Sequence, residues 1–184
     1  MENDFRKPEW FPMRVTYNRE LKVKEHLDST GIENYIPMRY ELKGEGGRQQ
    51  MMLVPAIHNL IFIRTTQDEL TTMKATQREL EPLRYMMRPV EGSTTQKEII
   101  RVPDRQMENF MRVAAAADER VMFLEYGNYL DKVGHRVRVT QGYFAGVEGV
   151  IKRIKNNRRV VVKIDGVAAV AIANVPSEYL EVID

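Results

Sequence analysis

Three histidines, His26, His58 and His135, are the side chains best suited to proton transfer or metal binding near neutral pH. None has a second histidine or a carboxylate at metal-site spacing such as HExxH, so each reads as a solvated or core-edge histidine. Cysteine is absent. That excludes disulfides, thiolate-ligated metals and thiol catalysis. The nucleophile elbow GxSxG, the Walker motif GxxxxGK[ST] and GxGxxG are all missing. Gly142, Gly146 and Gly149 form a spaced set, but a strand pattern follows them rather than a helix, so they read as turn and bulge glycines. Gly44, Gly46 and Gly47 read as a loose hairpin connection. The pairs Asp68-Glu69 and Asp118-Glu119 sit at predicted helix ends, where complementing the helix dipole is role enough. The expectation is a protein that is not an enzyme and needs no cofactor or metal.

Two other features could bind rather than react. Lys152, Arg153, Lys155, Arg158 and Arg159 flank an Asn156-Asn157 turn and could touch phosphates. A solvated hairpin tip is the other reading, and no aromatic residue is interleaved to stack on bases. The segment Ile57-His58-Asn59-Leu60-Ile61-Phe62-Ile63 is apolar at both alternating sets, with Leu60 and Phe62 on one face and Ile61 and Ile63 on the other. One face could stay open for a partner. Burial on both faces is the competing reading.

The elements that must position these groups follow from hydrophobic period. Glu9 to Thr16 reads as a strand, with Pro12 marking an edge or bulge. Asn18 offers an N-cap for a helix through Leu27, with Val23 and Leu27 on its buried stripe and Gly31 closing it. Strands are expected over Asn34 to Leu42, within Met51 to Arg64, and over Leu83 to Met87. Asp68 could cap a second helix. Pro103-Asp104 opens a third, in which Met107, Phe110, Met111 and Ala114 fall on one face. The order is that of a ferredoxin-like split βαβ sandwich, an α+β fold. After Ala117 the pattern changes to five short strands with no helix, which suggests a small β-barrel. The expected boundaries are a domain over residues 8–118, a linker over 119–130, and a second domain over 131–184.

Composition agrees with a folded protein: 43% of the 184 residues are hydrophobic and 29% charged, against 8% aromatic. The net charge of +2 is unevenly placed, with about +3 on residues 131–184 and about −1 on the rest. Such a mild bias suits incidental contact with nucleic acid rather than binding by charge alone. The residues after Met1 form no basic, apolar leader, and no apolar run approaches the ~20 residues that span a bilayer. A cytoplasmic protein with no membrane partner is expected.

The segment from Val133 to Ile151, with its alternating valines and Gly142-Tyr143-Phe144-Ala145-Gly146-Val147-Glu148-Gly149-Val150, resembles a KOW motif. Trp10-Phe11, the helix from Glu20 to Leu27, the Ile57–Ile63 strand and Val102-Pro103-Asp104 are similar to the N-terminal domain of the NusG family. Asn59, where glycine is usual, looks more like the specialised RfaH-type members, among them antiterminators of capsular polysaccharide loci. The resemblance implies an SH3-like KOW barrel and a monomeric transcription elongation or antitermination factor. It would bind RNA polymerase at the β′ clamp helices through Ile57, Leu60 and Phe62. It also implies a second partner, a ribosomal protein or Rho, at the loop carrying Tyr143 and Phe144. His58 departs from the usual proline, Leu60 from the usual aromatic, and Tyr143 from a common proline. The alternative is a KOW-type nucleic-acid- or ribosome-binding module without polymerase activity.

Overall fold

The computed structural model describes residues 7–124, 134–154 and 156–183. The chain divides into two compact units between Asp104 and Arg105. In the first unit the elements run β1 (Glu9–Val15), α1 (Glu20–Ser29), β2 (Glu33–Tyr35), β3 (Met38–Lys43), β4 (Gln50–Pro55), β5 (Leu60–Thr65), α2 (Gln67–Thr76), β6 (Leu83–Tyr85), β7 (Met87–Pro89) and β8 (Lys97–Ile99). Four of the strands form one sheet in the order β2-β5-β1-β6, and β3-β4 and β7-β8 form separate two-stranded ribbons.

The central pair is antiparallel β1 and β5, in register from Glu9 opposite Thr65 to Arg14 opposite Leu60. Alternation then sorts the side chains. Phe11, Met13, Val15, Ile61 and Ile63 meet Val23 and Leu27 of α1 and Leu70 and Met73 of α2 in one buried cluster. Helix α1 therefore keeps the expected Val23/Leu27 stripe, while Leu21 is exposed. β1 is paired on both sides, but its ladder with β6 begins at Met13, so Pro12, expected at an edge or bulge, lies beyond that ladder. It shares a rung with Phe62.

Helix starts differ from the sequence reading. Asn18 has a left-handed backbone (φ 51°) one residue before the helix boundary, so it caps nothing. Instead its N–H donates to Asn59 Oδ1 at 3.2 Å. Helix α2 is capped by Thr66, whose hydroxyl accepts from the Glu69 N–H at 3.2 Å, and Asp68 lies in the first turn. Two expected strands are each divided: residues 34–42 at Ile36-Pro37, and residues 83–87 at Met86. A proline removes a ladder donor and restricts the residue before it, which explains the first break.

The second unit runs α3 (Asp104–Ala114), β9 (Val121–Leu124), β10 (Arg136–Val139), β11 (Glu148–Ile154), β12 (Asn157–Ile164), β13 (Ala168–Ala173) and β14 (Leu180–Val182). Its sheet has the order β14-β10-β11-β12-β13-β9, antiparallel throughout. The five strands expected after Ala117 are all present. The stretch read as a linker contributes a sixth, because Val121 to Leu124 pairs with β13. Ile154, Val161, Ala169 and Ala171 form the core, with Met122 and Leu124 of β9 packed against it. Gly149 has a steric reason: a Cβ there would lie 2.7 Å from the Val161 carbonyl oxygen.

Truncating a buried and an exposed apolar residue separates core from surface. Ile61→Ala is expected to destabilise the first unit by about 2–5 kcal/mol. Leu42→Ala, on the exposed ribbon, should change it by no more than about 0.5 kcal/mol. Urea unfolding of the two variants beside wild type measures both.

Candidate functional site

The apolar strand singled out from the sequence is β5, and it occupies the middle of its sheet between β2 and β1. Phe62 lies opposite Pro12 on one side and Tyr35 on the other. The Tyr35 and Phe62 rings are 6.5 Å apart, and burial pushes the Tyr35 hydroxyl up to about 12. Leu60 is 4% exposed and Phe62 0%, so β5 is buried on both faces from Leu60 to Ile63. Ile57 is half-buried and the His58 side chain is 68% exposed. The surface-accessible part of the segment is thus its entry, Ile57 to Asn59, rather than its centre.

That entry is held from three directions. Asn59 has a left-handed backbone (φ 60°), a conformation that asparagine tolerates better than bulky residues. Its N–H donates to Glu20 Oε1 at 3.2 Å, and its carbonyl accepts from the Val15 N–H at 2.9 Å. Its side-chain oxygen accepts from Asn18. Glu20 is buried, its Oε1 stands 4.0 Å from His58 Nδ1, and its Oε2 has no hydrogen-bond partner. A buried carboxylate is costly. Here it satisfies an otherwise orphaned N–H and ties the β1–α1 turn to the start of β5. Sequence reasoning missed Glu20, because a glutamate in a first helical turn is fully accounted for by the dipole.

The second candidate pair separates. Tyr143 is 66% exposed, whereas Phe144 is 3% exposed. Their rings meet edge-on at 5.1 Å, and the Arg120 guanidinium lies 5.6 Å from the Phe144 ring centroid. The loop closes on itself through Gly146 N–H to the Val139 carbonyl (2.6 Å) and Val147 N–H to the Phe144 carbonyl (3.0 Å). Gly146 is left-handed (φ 89°). Arg112 of α3 donates to the Ala145 and Tyr143 carbonyls at 2.6 and 3.1 Å. Gln106 of the same helix donates to the Lys163 carbonyl at 3.0 Å. No sequence motif announces these bonds, since an arginine on a helix face is ordinarily solvated.

The basic candidates lie at the closed end of the β11–β12 hairpin. Lys152 is directly opposite Arg159, and Arg153 opposite Arg158. Lys152 is buried, Arg153 and Arg158 are exposed, and Arg159 is half-buried. Lys155 lies outside the described residues. Arg158 donates to the Ser177 hydroxyl. Four other cations of the unit pair with acids: Arg138 with Glu148 (2.8 Å) and Glu181 (3.3 Å), Arg105 with Glu148, Arg120 with Asp118 (2.6 Å), and Lys163 with Asp165 (2.6 Å).

An apolar ribbon face was not anticipated. Tyr40 pairs with Leu53 and Leu42 with Met51, and all four side chains are more than half exposed. Among the described residues no three His, Asp or Glu side chains converge as a metal site would, and no helix is long and apolar enough to cross a membrane.

The Arg138 hydrogen bond, ahead of the Arg105 and Arg138 charges, holds the Glu148 carboxyl below its ordinary value. The Arg120 hydrogen bonds hold Asp118 at about 2. A carboxylate with a depressed folded pKa contributes stability that is full above its unfolded pKa and lost as pH falls through the folded one. The second unit should therefore weaken on acidification from the ordinary aspartate value of 3.8 toward about 2. Arg138→Met should move the Glu148 titration upward and leave Asp118 in place, as read by carboxyl-carbon NMR.

Known proteins offer a comparison for this geometry. The NusG family model, described as transcription termination factor nusG, matches residues 8–111. A solved structure titled "Domain interaction in Thermotoga maritima NusG" is 21% identical, covering 97% of this chain and 98% of that chain, with a TM-score of 0.42. A comparison with curated proteins finds no match.

Proposed function

The chain belongs to the NusG family, and on that premise we propose that it is a transcription elongation and antitermination factor that docks on RNA polymerase. The observation that carries this reading is the match of residues 8–111 to the family model. The docking region is assigned to Ile57, Leu60 and Phe62, facing the β′ clamp helices. Ile57 and His58 supply the accessible edge, and buried Leu60 and Phe62 set its shape. The mechanism is a population shift: a factor that binds the elongating polymerase better than the paused one favours elongation by that difference in affinity.

Several finer assignments accompany the proposal. The strand order β2-β5-β1-β6, with helices after the first and third of these in sequence, supports a ferredoxin-like first unit. The short antiparallel strands and the close approach at Gly149 support an SH3-like KOW barrel in the second. Asn59 in place of glycine, at a left-handed backbone, supports an RfaH-type member acting on specialised operons, such as those for polysaccharides. Tyr143 is the accessible residue through which a ribosomal protein or Rho would be met, with Phe144 supporting it from inside. The factor works in the cytoplasm as a monomer, without catalysis or cofactor. The alternative of a nucleic-acid- or ribosome-binding module is favoured by one observation, the opposed cations of the β11–β12 hairpin.

Phe62→Ala is a poor probe, since removing a fully buried phenylalanine costs about 3–5 kcal/mol of stability. Ile57→Asp with His58→Asp changes the accessible edge instead. It should weaken binding to the cognate RNA polymerase at least about tenfold, a loss of about 1.4 kcal/mol. The circular dichroism spectrum should not change. Read-through on a terminator template should fall in parallel. Absence of wild-type binding would overturn the elongation-factor reading and leave the module.

A further inference from the structure

We propose that the outer edge of β3 is a self-association site, where two copies of this chain pair antiparallel about a two-fold axis at Tyr40. The β3–β4 ribbon is an isolated pair, and among the described residues neither of its outer edges is paired. A two-stranded ribbon is marginal alone, and an open edge is a template for another strand. One face of this ribbon is apolar: Tyr40 and Leu42 lie opposite Leu53 and Met51, and all four are more than half exposed. At about 200 Å² for each large side chain, they leave about 450 Å² uncovered. The other face carries charge. Arg39 and Glu41 are ion-paired along the strand at 2.9 Å, and Lys43 stands 3.8 Å from Glu41.

The order of residues along β3 determines what fits its edge. A two-fold axis perpendicular to the sheet keeps each face of two identical strands on the same side, so a residue must oppose one from its own face. The axis therefore passes through a residue position and not between two. An axis at Tyr40 sets Tyr40 against the partner's Tyr40, Arg39 against the partner's Glu41, and Met38 against the partner's Leu42. Symmetry makes the last two rungs twice over. Opposite charges and apolar pairs on facing rungs stabilise a strand pair. Neighbouring registers fail. An axis at Glu41 sets Glu41 on itself and Arg39 against the partner's Lys43, and an axis at Arg39 sets Arg39 on itself. An axis at Leu42 leaves Met38, Arg39 and Tyr40 without a partner inside the strand. The outer edge of β4 has no charge to fix a register, and Pro55 lacks a ladder donor. β3 is therefore the edge that complements itself. The uncovered area is close to half of the ~800 Å² per partner in a standard interface, so the dimer is reversible and the monomer prevails when dilute.

The test contains no polymerase, so it is independent of the docking proposed above. The full-length protein is followed by sedimentation velocity from about 1 to about 200 μM, a range that spans the micromolar dissociation constant of a small interface. Wild type should pass from monomer to dimer. Glu41→Arg or Arg39→Glu alone should weaken association at least about tenfold, because symmetry doubles each like-charge rung. Mixing these two variants should restore it, since their heterodimer has opposite charges on both rungs. The double variant R39E/E41R should dimerise as wild type does. Cysteine is absent from the chain, so Tyr40→Cys supplies a single thiol. Facing residues of an antiparallel pair lie about 4.5–5.5 Å apart at Cα, within disulfide range, so Tyr40→Cys should crosslink under mild oxidation and Leu42→Cys should not. A wild type that stays monomeric throughout, single variants that associate as wild type does, a mixture no better than its components, or equal crosslinking at both cysteines would each overturn the proposal.

Discussion

The first unit depends on one constraint: β5 must be apolar on both faces. Leu60 to Ile63 are all buried, and they sit at the centre of a four-stranded sheet in six-residue register with β1. A slip of one residue would exchange the two faces. On a strand buried on both sides such a slip would not expose polar groups, so alternation alone fixes the register weakly. The entry to the strand supplies what is missing. Asn59 accepts from Val15 and Asn18 and donates to Glu20, so the start of β5 can pair with β1 in one position only. The burial of the Glu20 carboxylate follows from that role.

The same constraint shapes what a partner can touch. A side chain at the middle of β5 belongs to the core, and changing it is a change in stability. Ile57 and His58 precede the strand, face solvent to a larger degree, and are oriented by the bonds around Asn59. If the proposed docking uses them, residues on a rigid strand entry would lose little freedom on meeting a partner. The loop before β11 follows a parallel plan. Phe144 is inside and fixes the turn, Tyr143 is outside and available, and backbone bonds to Val139 and Phe144 hold the geometry.

How much of this was legible in the sequence depended on whether the signal was local. The strands of the second unit were readable because valines alternate with polar residues and glycines punctuate the turns, as over Val137 to Gly149. Of the expected α3 stripe, Met107, Phe110 and Ala114 are buried and Met111 is half-buried, while Val113, off that stripe, is buried too. Helix starts were less so. Asn18 and Asp68 both have good capping chemistry, yet Asn18 is used across 41 residues to hold Asn59, and Thr66 caps α2 in place of Asp68. Long-range pairing left the least trace. The strand Val121–Leu124 has only four residues and becomes a strand because β13 offers it an edge. The Arg112 bonds to the Tyr143 and Ala145 carbonyls join residues more than thirty apart, and nothing in either segment alone foretells them.

Sequences that specify one fold tend to agree with it at every level, and departures gather where a protein acts. Most of the second unit obeys that rule. Arg138 is matched across strands with Glu148 and Glu181, and Gly149 stands where a side chain would collide. In the β11–β12 hairpin the Arg153–Arg158 rung sets two cations opposite each other. Exchanging Arg153 for glutamate would convert the Arg153–Arg158 rung from repulsive to attractive without touching the core, so the arrangement is not forced by the fold. The Arg158 guanidinium donates to the Ser177 hydroxyl, which draws it toward the start of the final turn and offsets part of the repulsion from Arg153.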